Sequence, residues 1–206
     1  MTRDCALLSG MPCSRRAAER MFSACEVGSF ADEWINSQAR HMAVEELVGD
    51  YLGKVPVVWE QVAASVEGLG VDMFGDATVD DLSRALETYS VVAILAHHVE
   101  ASRSGLRGIE LCDTVVDLDR LENIAPSRPG VVHLGVCRSS SVFIETFKSR
   151  CGQVRVIASQ AQVEPEFFLR TFAGTVRLWR RDGGDYVQAH VKFRNAMLDS
   201  LGAPRL

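Results

Sequence analysis

The chain has 206 residues, 47% of them hydrophobic and 24% charged, which suits one sizeable packed domain and excludes extensive disorder. A formal net charge of −5 argues against a protein whose main work is coating phosphate backbones, so no direct nucleic-acid partner is expected. No apolar run approaches the roughly 18 residues that would cross a bilayer, and "MTRDCALLSGMPCSRR" lacks the charged-then-apolar order of a secretory signal. A cytoplasmic protein with no membrane partner is the expectation.

In chain order, "CALLSG" reads as a first short strand, ended by Gly10 and Pro12. "SRRAAERMFSACEVGSF" and "ADEWINSQARHMAVEELVGDYLGK" space their apolar residues helically, so residues 14 to 70 read as mainly helical. "DATVDDLSRALETY" carries a helix start, with Thr78 as cap, Asp80 and Asp81 in the first turn, and Leu82, Leu86 and Tyr89 as a stripe. "SVVAILAHH" is short, β-branched and apolar on consecutive positions, as a strand buried on both faces would be. "VVHLGV" at 131–136 repeats that pattern, and "QVRVIAS" at 153–159 repeats it more weakly.

"DLDRLENI" and "SVFIETFKSRC" are short and helix-like between these strands, and the tail holds two amphipathic helices, "EPEFFLRTFAGTVRLWRRDGG" and "DYVQAHVKFRNAMLDSL". In the last of these, Val187, Val191, Met197 and Leu198 fall on or near one face. Alternating strands and helices predict an α/β fold in three layers, a mostly parallel sheet flanked by helices. One domain over 1–206 is expected. Residues 1–75 would form a helical N-terminal portion with a first strand, completing the sheet edge and a helical flank, and 76–206 the core.

In such sheets, reacting groups gather beyond the carboxyl ends of the strands. Two predicted strands end in reactive residues: one delivers His97 and His98, the other Cys137, 40 residues after His97. An imidazole beside a thiol can take its proton, direct its attack on a carbonyl and later protonate the leaving amine. If the two strands are neighbours, both groups stand on one edge. Backbone N–H groups at the Cys137 turn, followed by "RSSSVF", would offer donors to a developing oxyanion.

"SVVAILAHHVEAS", "GIELCDTVVDLDRLENI" and "GVVHLGVCRSS" resemble, block by block, the core of caspase-like cysteine peptidases. In that family an apolar strand ends in the catalytic His, a hydrophobic-Asp element and a short helix follow, and a second apolar strand ends in the catalytic Cys. The stretch from "VRVIASQ" to "RNAML" is similar to the bacterial CHAT branch, and the likeness spans about residues 76 to 200. The resemblance implies a caspase-haemoglobinase fold, hydrolysis of a protein substrate without a cofactor or metal, His97 as general base and Cys137 as nucleophile. It also implies an oxyanion hole from the backbone at His98 and Cys137, and latency until an activating partner protein assembles the site, as in bacterial defence relatives.

The chain departs from the family at two positions. The Gly that commonly follows the catalytic His is His98, which makes His98 the reserve base, and the Gln with which caspases read an acidic substrate residue is Gly135. Specificity for basic residues would need an acid in the primary pocket, for which Asp113 and Glu164 are the candidates. Their simpler roles are a turn residue and a helix-start charge. A non-catalytic interaction module on the same fold is the competing expectation.

The six cysteines, Cys5, Cys13, Cys25, Cys112, Cys137 and Cys151, contain no CxxC pair and read as packed thiols rather than a zinc or disulfide framework. Cys112, at the end of the strand-like "RGIELC", is the rival to Cys137, and Cys13 ranks below it. His133 reads as a core histidine. A metal set of His97, His98, Cys112, Asp113 and Cys137 lacks the spacing that specifies zinc, and "GDYLGK" lacks that of a phosphate loop.

Overall fold

The computed structural model describes residues 4–14, 16–17, 44–101, 106–117, 119–120, 124, 130–137, 145, 154–160 and 163–200. Its centre is a five-stranded sheet in the order β2-β1-β3-β7-β8, built from β2 (Val71–Phe74), β1 (Cys5–Ser9), β3 (Val91–Leu95), β7 (Val131–Gly135) and β8 (Arg155–Ile157). Every pairing in it is parallel. The helices are α1 (Val44–Val66), α2 (Val79–Thr88), α3 (Pro165–Asp182) and α4 (Tyr186–Ser200).

Strand alternation divides the core in two. Cys5, Leu7, Val91, Ala93, Leu95 and Val131 pack with Tyr51, Val55, Val58 and Val62 of α1 and with Phe168, Leu169, Phe172 and Val176 of α3. Their neighbours Ala6, Leu8, Val92, Ile94, Val132, Leu134 and Val136 pack with Leu82, Ala85 and Leu86 of α2. Helices therefore cover both faces of a parallel sheet, whose inner strands must be apolar on every position. The α/β class and the parallel sheet expected from the sequence are both present.

Helix α2 begins where the capping pattern places it. The Thr78 side chain accepts from the Asp81 N–H while the Asp81 side chain accepts from the Thr78 N–H, satisfying two donors that a helix start leaves open.

Residues 1–75 supply one edge of the main sheet, with β1 between β3 and the edge strand β2; β2 follows the helical region without a pattern of its own. Two expectations are corrected. The run "SVVAILAHH" is not one strand. β3 stops at Leu95, and β4 (His97–Ala101) belongs to a separate antiparallel sheet with β5 (Leu106–Glu110) and β6 (Val115–Asp117), in the order β4-β5-β6. That small sheet stands where the sequence pattern offered only a strand-like "RGIELC". It is tied to the connection between β2 and α2 by the Cys112 N–H, which donates to the Ala77 carbonyl at 3.0 Å. On α4 the buried residues are Tyr186, Ala189 and His190, whereas Val191 is 51% exposed. The expected helices in "SRRAAERMFSACEVGSF" and "SVFIETFKSRC" lie mostly outside the described residues, as does half of "DLDRLENI".

Candidate functional site

The two strands that the candidate residues His97 and Cys137 follow are neighbours. β3 and β7 pair in parallel with Val91 opposite Val131 and Leu95 opposite Gly135, and beyond the strands the Ala96 N–H still donates to the Gly135 carbonyl at 3.3 Å. His97 and Cys137 each stand two residues past the Leu95–Gly135 pair, at the carboxyl edge of the sheet.

The side of the sheet is also defined. Gly135 faces α3, because a Cβ built on it would lie 2.6 Å from the Phe168 ring. Cys137, two residues on, is half-buried on the same side: the Val163 N–H donates to its Sγ at 3.3 Å, and Sγ lies 4.0 Å from the Val163 carbonyl oxygen. Val163 is the second residue before α3, so the start of that helix and the end of β7 meet at the sulfur. Glu164, exposed and at the N-cap of α3, adjoins this contact and makes no side-chain cap of its own.

The two histidines lie on opposite faces of β4, as strand geometry requires. His97 is opposite Glu110 and His98 opposite Ile109. Ile109, with its neighbour Val116 on β6, belongs to the core beneath α2. His98 thus shares the face of β4 that looks toward that core, and His97 takes the other.

Of the two candidate pocket acids, Asp113 has a structural assignment. Its Oδ1 accepts from the Val79 N–H at 3.1 Å, capping the start of α2, the helix on the other face of the sheet. Glu164 is the acid brought to the Cys137 end of the fold.

The remaining thiols differ from Cys137 in setting. Burial pushes the Cys13 thiol up to about 12, and raises that of Cys5 still further, so neither supplies thiolate near neutrality. Cys112 is exposed, and its Sγ donates to the Gly10 carbonyl at 3.3 Å. Cys25 and Cys151 lie outside the described residues.

His133 is a core histidine. Its Nδ1 lies 3.0 Å from the Tyr186 hydroxyl, and its ring packs against Phe168 and His190. Burial, with the adjacent His190, holds its pKa well below the usual imidazole value. Among the described residues no group of three or more His, Cys, Asp and Glu side chains is arranged to hold a metal ion. No helix among them is long and apolar enough to cross a membrane.

The Val163 contact and the Phe168 packing had no local signal in the sequence. Val163 is 26 residues from Cys137, and only the placement of α3 over the sheet brings them together.

The chain matches no protein-family model and no curated protein sequence.

Proposed function

We propose that the chain is a cysteine endopeptidase of the caspase-haemoglobinase fold, CHAT type, cutting protein substrates with a Cys137–His97 dyad. The observation that carries the proposal is the register of β3 and β7, which sets the two strand ends side by side with His97 and Cys137 equally far past the Leu95–Gly135 pair. The split of the histidines between the two faces of β4 favours His97 over His98 as base.

In this mechanism His97 accepts the Cys137 proton and the sulfur attacks the substrate carbonyl carbon. The carbonyl π electrons move onto oxygen, where N–H groups of the backbone at His98 and Cys137 stabilise the charge. The oxyanion collapses, the C–N bond breaks, and the amine leaves with the proton held by His97, which gives a thioester. Water, deprotonated by the same imidazole, then attacks the thioester carbonyl and releases the acid and the free thiol. No cofactor enters this sequence.

Gly135 has no room for an acid-reading side chain, and Glu164 adjoins Val163 at the sulfur. A basic residue at the cut site is therefore the preferred specificity. The proposed setting is cytoplasmic, with activation by a partner protein.

A second reading, a non-catalytic module on the same scaffold, is favoured by one observation: His98 stands where the resembled family has glycine, with less freedom of φ and added bulk. Its position on the core-facing side of β4 moves that bulk away from His97. Labelling with a peptide electrophile bearing arginine next to its warhead separates the two. The peptidase reading expects a covalent adduct on Cys137, lost in Cys137→Ala and reduced in His97→Ala. Labelling that survives Cys137→Ala overturns it.

A further inference from the structure

Along α3, from Arg170 to Arg181, lies an open cleft of about 840 Å³ between α1, α3 and α4. Half-buried Leu69 and Phe193 supply apolar lining, over the buried Val62 and Ala173. α3 and α4 cross closely there, because a Cβ on Gly174 would lie 2.0 Å from the Phe193 ring. Among the described residues, four arginines of α3, Arg170, Arg177, Arg180 and Arg181, line the cleft against one acid, Glu67. On a chain of net charge −5 this is a local reversal of sign.

Two of the four arginines are already engaged. Arg180 forms an ion pair with Asp4, donates to the Leu69 carbonyl at 2.9 Å and stacks on Trp179. Arg181 pairs with Asp182 at 2.7 Å. Arg170 and Arg177 are exposed and form no ion pair with any described residue. Seven residues apart, they lie on one face of α3, about 10 Å from each other along the axis.

We propose that this cleft docks an acidic, apolar-anchored peptide segment of a partner protein, with carboxylates on Arg170 and Arg177 and aliphatic side chains on the half-buried Leu69 and Phe193. The apolar lining calls for side chains that a phosphate or pyrophosphate ion lacks, and the seven-residue spacing of the two arginines along α3 matches carboxylates two turns apart on an amphipathic helix. Planar guanidinium groups suit carboxylates in bidentate geometry. The site is independent of the Cys137 assignment, since none of its residues belongs to the proposed dyad.

The test is fluorescence anisotropy with a labelled synthetic peptide of Glu and Leu in helical repeat, at physiological salt. The intact chain binds it saturably, and Arg170→Glu with Arg177→Glu weakens binding roughly tenfold, the worth of two partly exposed ion pairs. The melting temperature stays unchanged, because both side chains are exposed. A peptide with Lys in place of Glu regains affinity for the doubly reversed variant. The proposal is overturned if the intact chain does not bind saturably, if the double reversal leaves binding unchanged, or if inorganic pyrophosphate alone displaces the peptide fully, which would assign a small-anion site.

Discussion

Phe168 occupies the space that any side chain at Gly135 would need: ring atoms of Phe168 stand 2.6 to 2.7 Å from where a Cβ would be built. The glycine one residue beyond Leu134 on β7 is therefore set by packing against α3. This contact also fixes how closely α3, with Val163 just before it, approaches Cys137.

Gly135→Ala forces the ring or the helix outward in a core that includes Phe168, Leu169 and Phe172. Overpacking of this kind costs about 1–3 kcal/mol, which for a chain of this size lowers the melting temperature by about 2–4 °C for each kcal/mol. Scanning calorimetry measures it. Phe168→Leu added to Gly135→Ala recovers part of the loss, whereas a variant as stable as the parent contradicts the packing.

Stability falls on mild acidification because of the buried pair His133 and His190, whose ring centroids are 4.5 Å apart. Burial and the nearby Arg194 hold His190 down at about 4, and burial with His190 holds His133 well below its usual value. Both folded values lie below the roughly 6.5 of an unfolded imidazole. The unfolded chain therefore binds more protons as pH drops from about 6.5 to about 4, and the stability present above that window is lost within it. Denaturant midpoints between pH 7.5 and 4 decline, and His190→Gln flattens the decline. Equal pH dependence in the variant and the parent would show that the pair does not carry it.

Much of the scaffold was legible because its signals are local. The consecutive apolar residues of "VVAIL" and "VVHLG" identify buried parallel strands, and Thr78 with Asp81 marks the start of α2 to the residue. Where the pattern failed, tertiary contacts decide. Nothing within "AILAHHVEA" says that the chain leaves the main sheet after Leu95; the Gly10 N–H donating to the Leu95 carbonyl and the Ala96 N–H donating to Gly135 show where that ladder closes. β2 has four half-buried residues and neither an apolar run nor a clear alternation. On α4, Tyr186 is drawn inward by His133 and Trp179, which rotates Val191 to the surface.

For the candidate site, the pairing of two strand ends was foreseeable from the matched runs before His97 and Cys137. The division of roles between His97 and His98 was not, because it depends on which face of β4 meets the core around Ile109 and Val116. Asp113 was a candidate by residue type alone, and its carboxylate is held at the start of α2.

Cys137 is proposed as a nucleophile activated by His97. Its most direct test is the rate at which each cysteine is alkylated by iodoacetamide at neutral pH, read by peptide mass spectrometry on the intact folded chain and on His97→Ala. Half-buried Cys137 is expected to react faster than exposed Cys112, and His97→Ala to slow Cys137 alone while leaving Cys112 unchanged. If Cys137 reacts no faster than Cys112, or reacts equally fast without His97, the dyad does not exist.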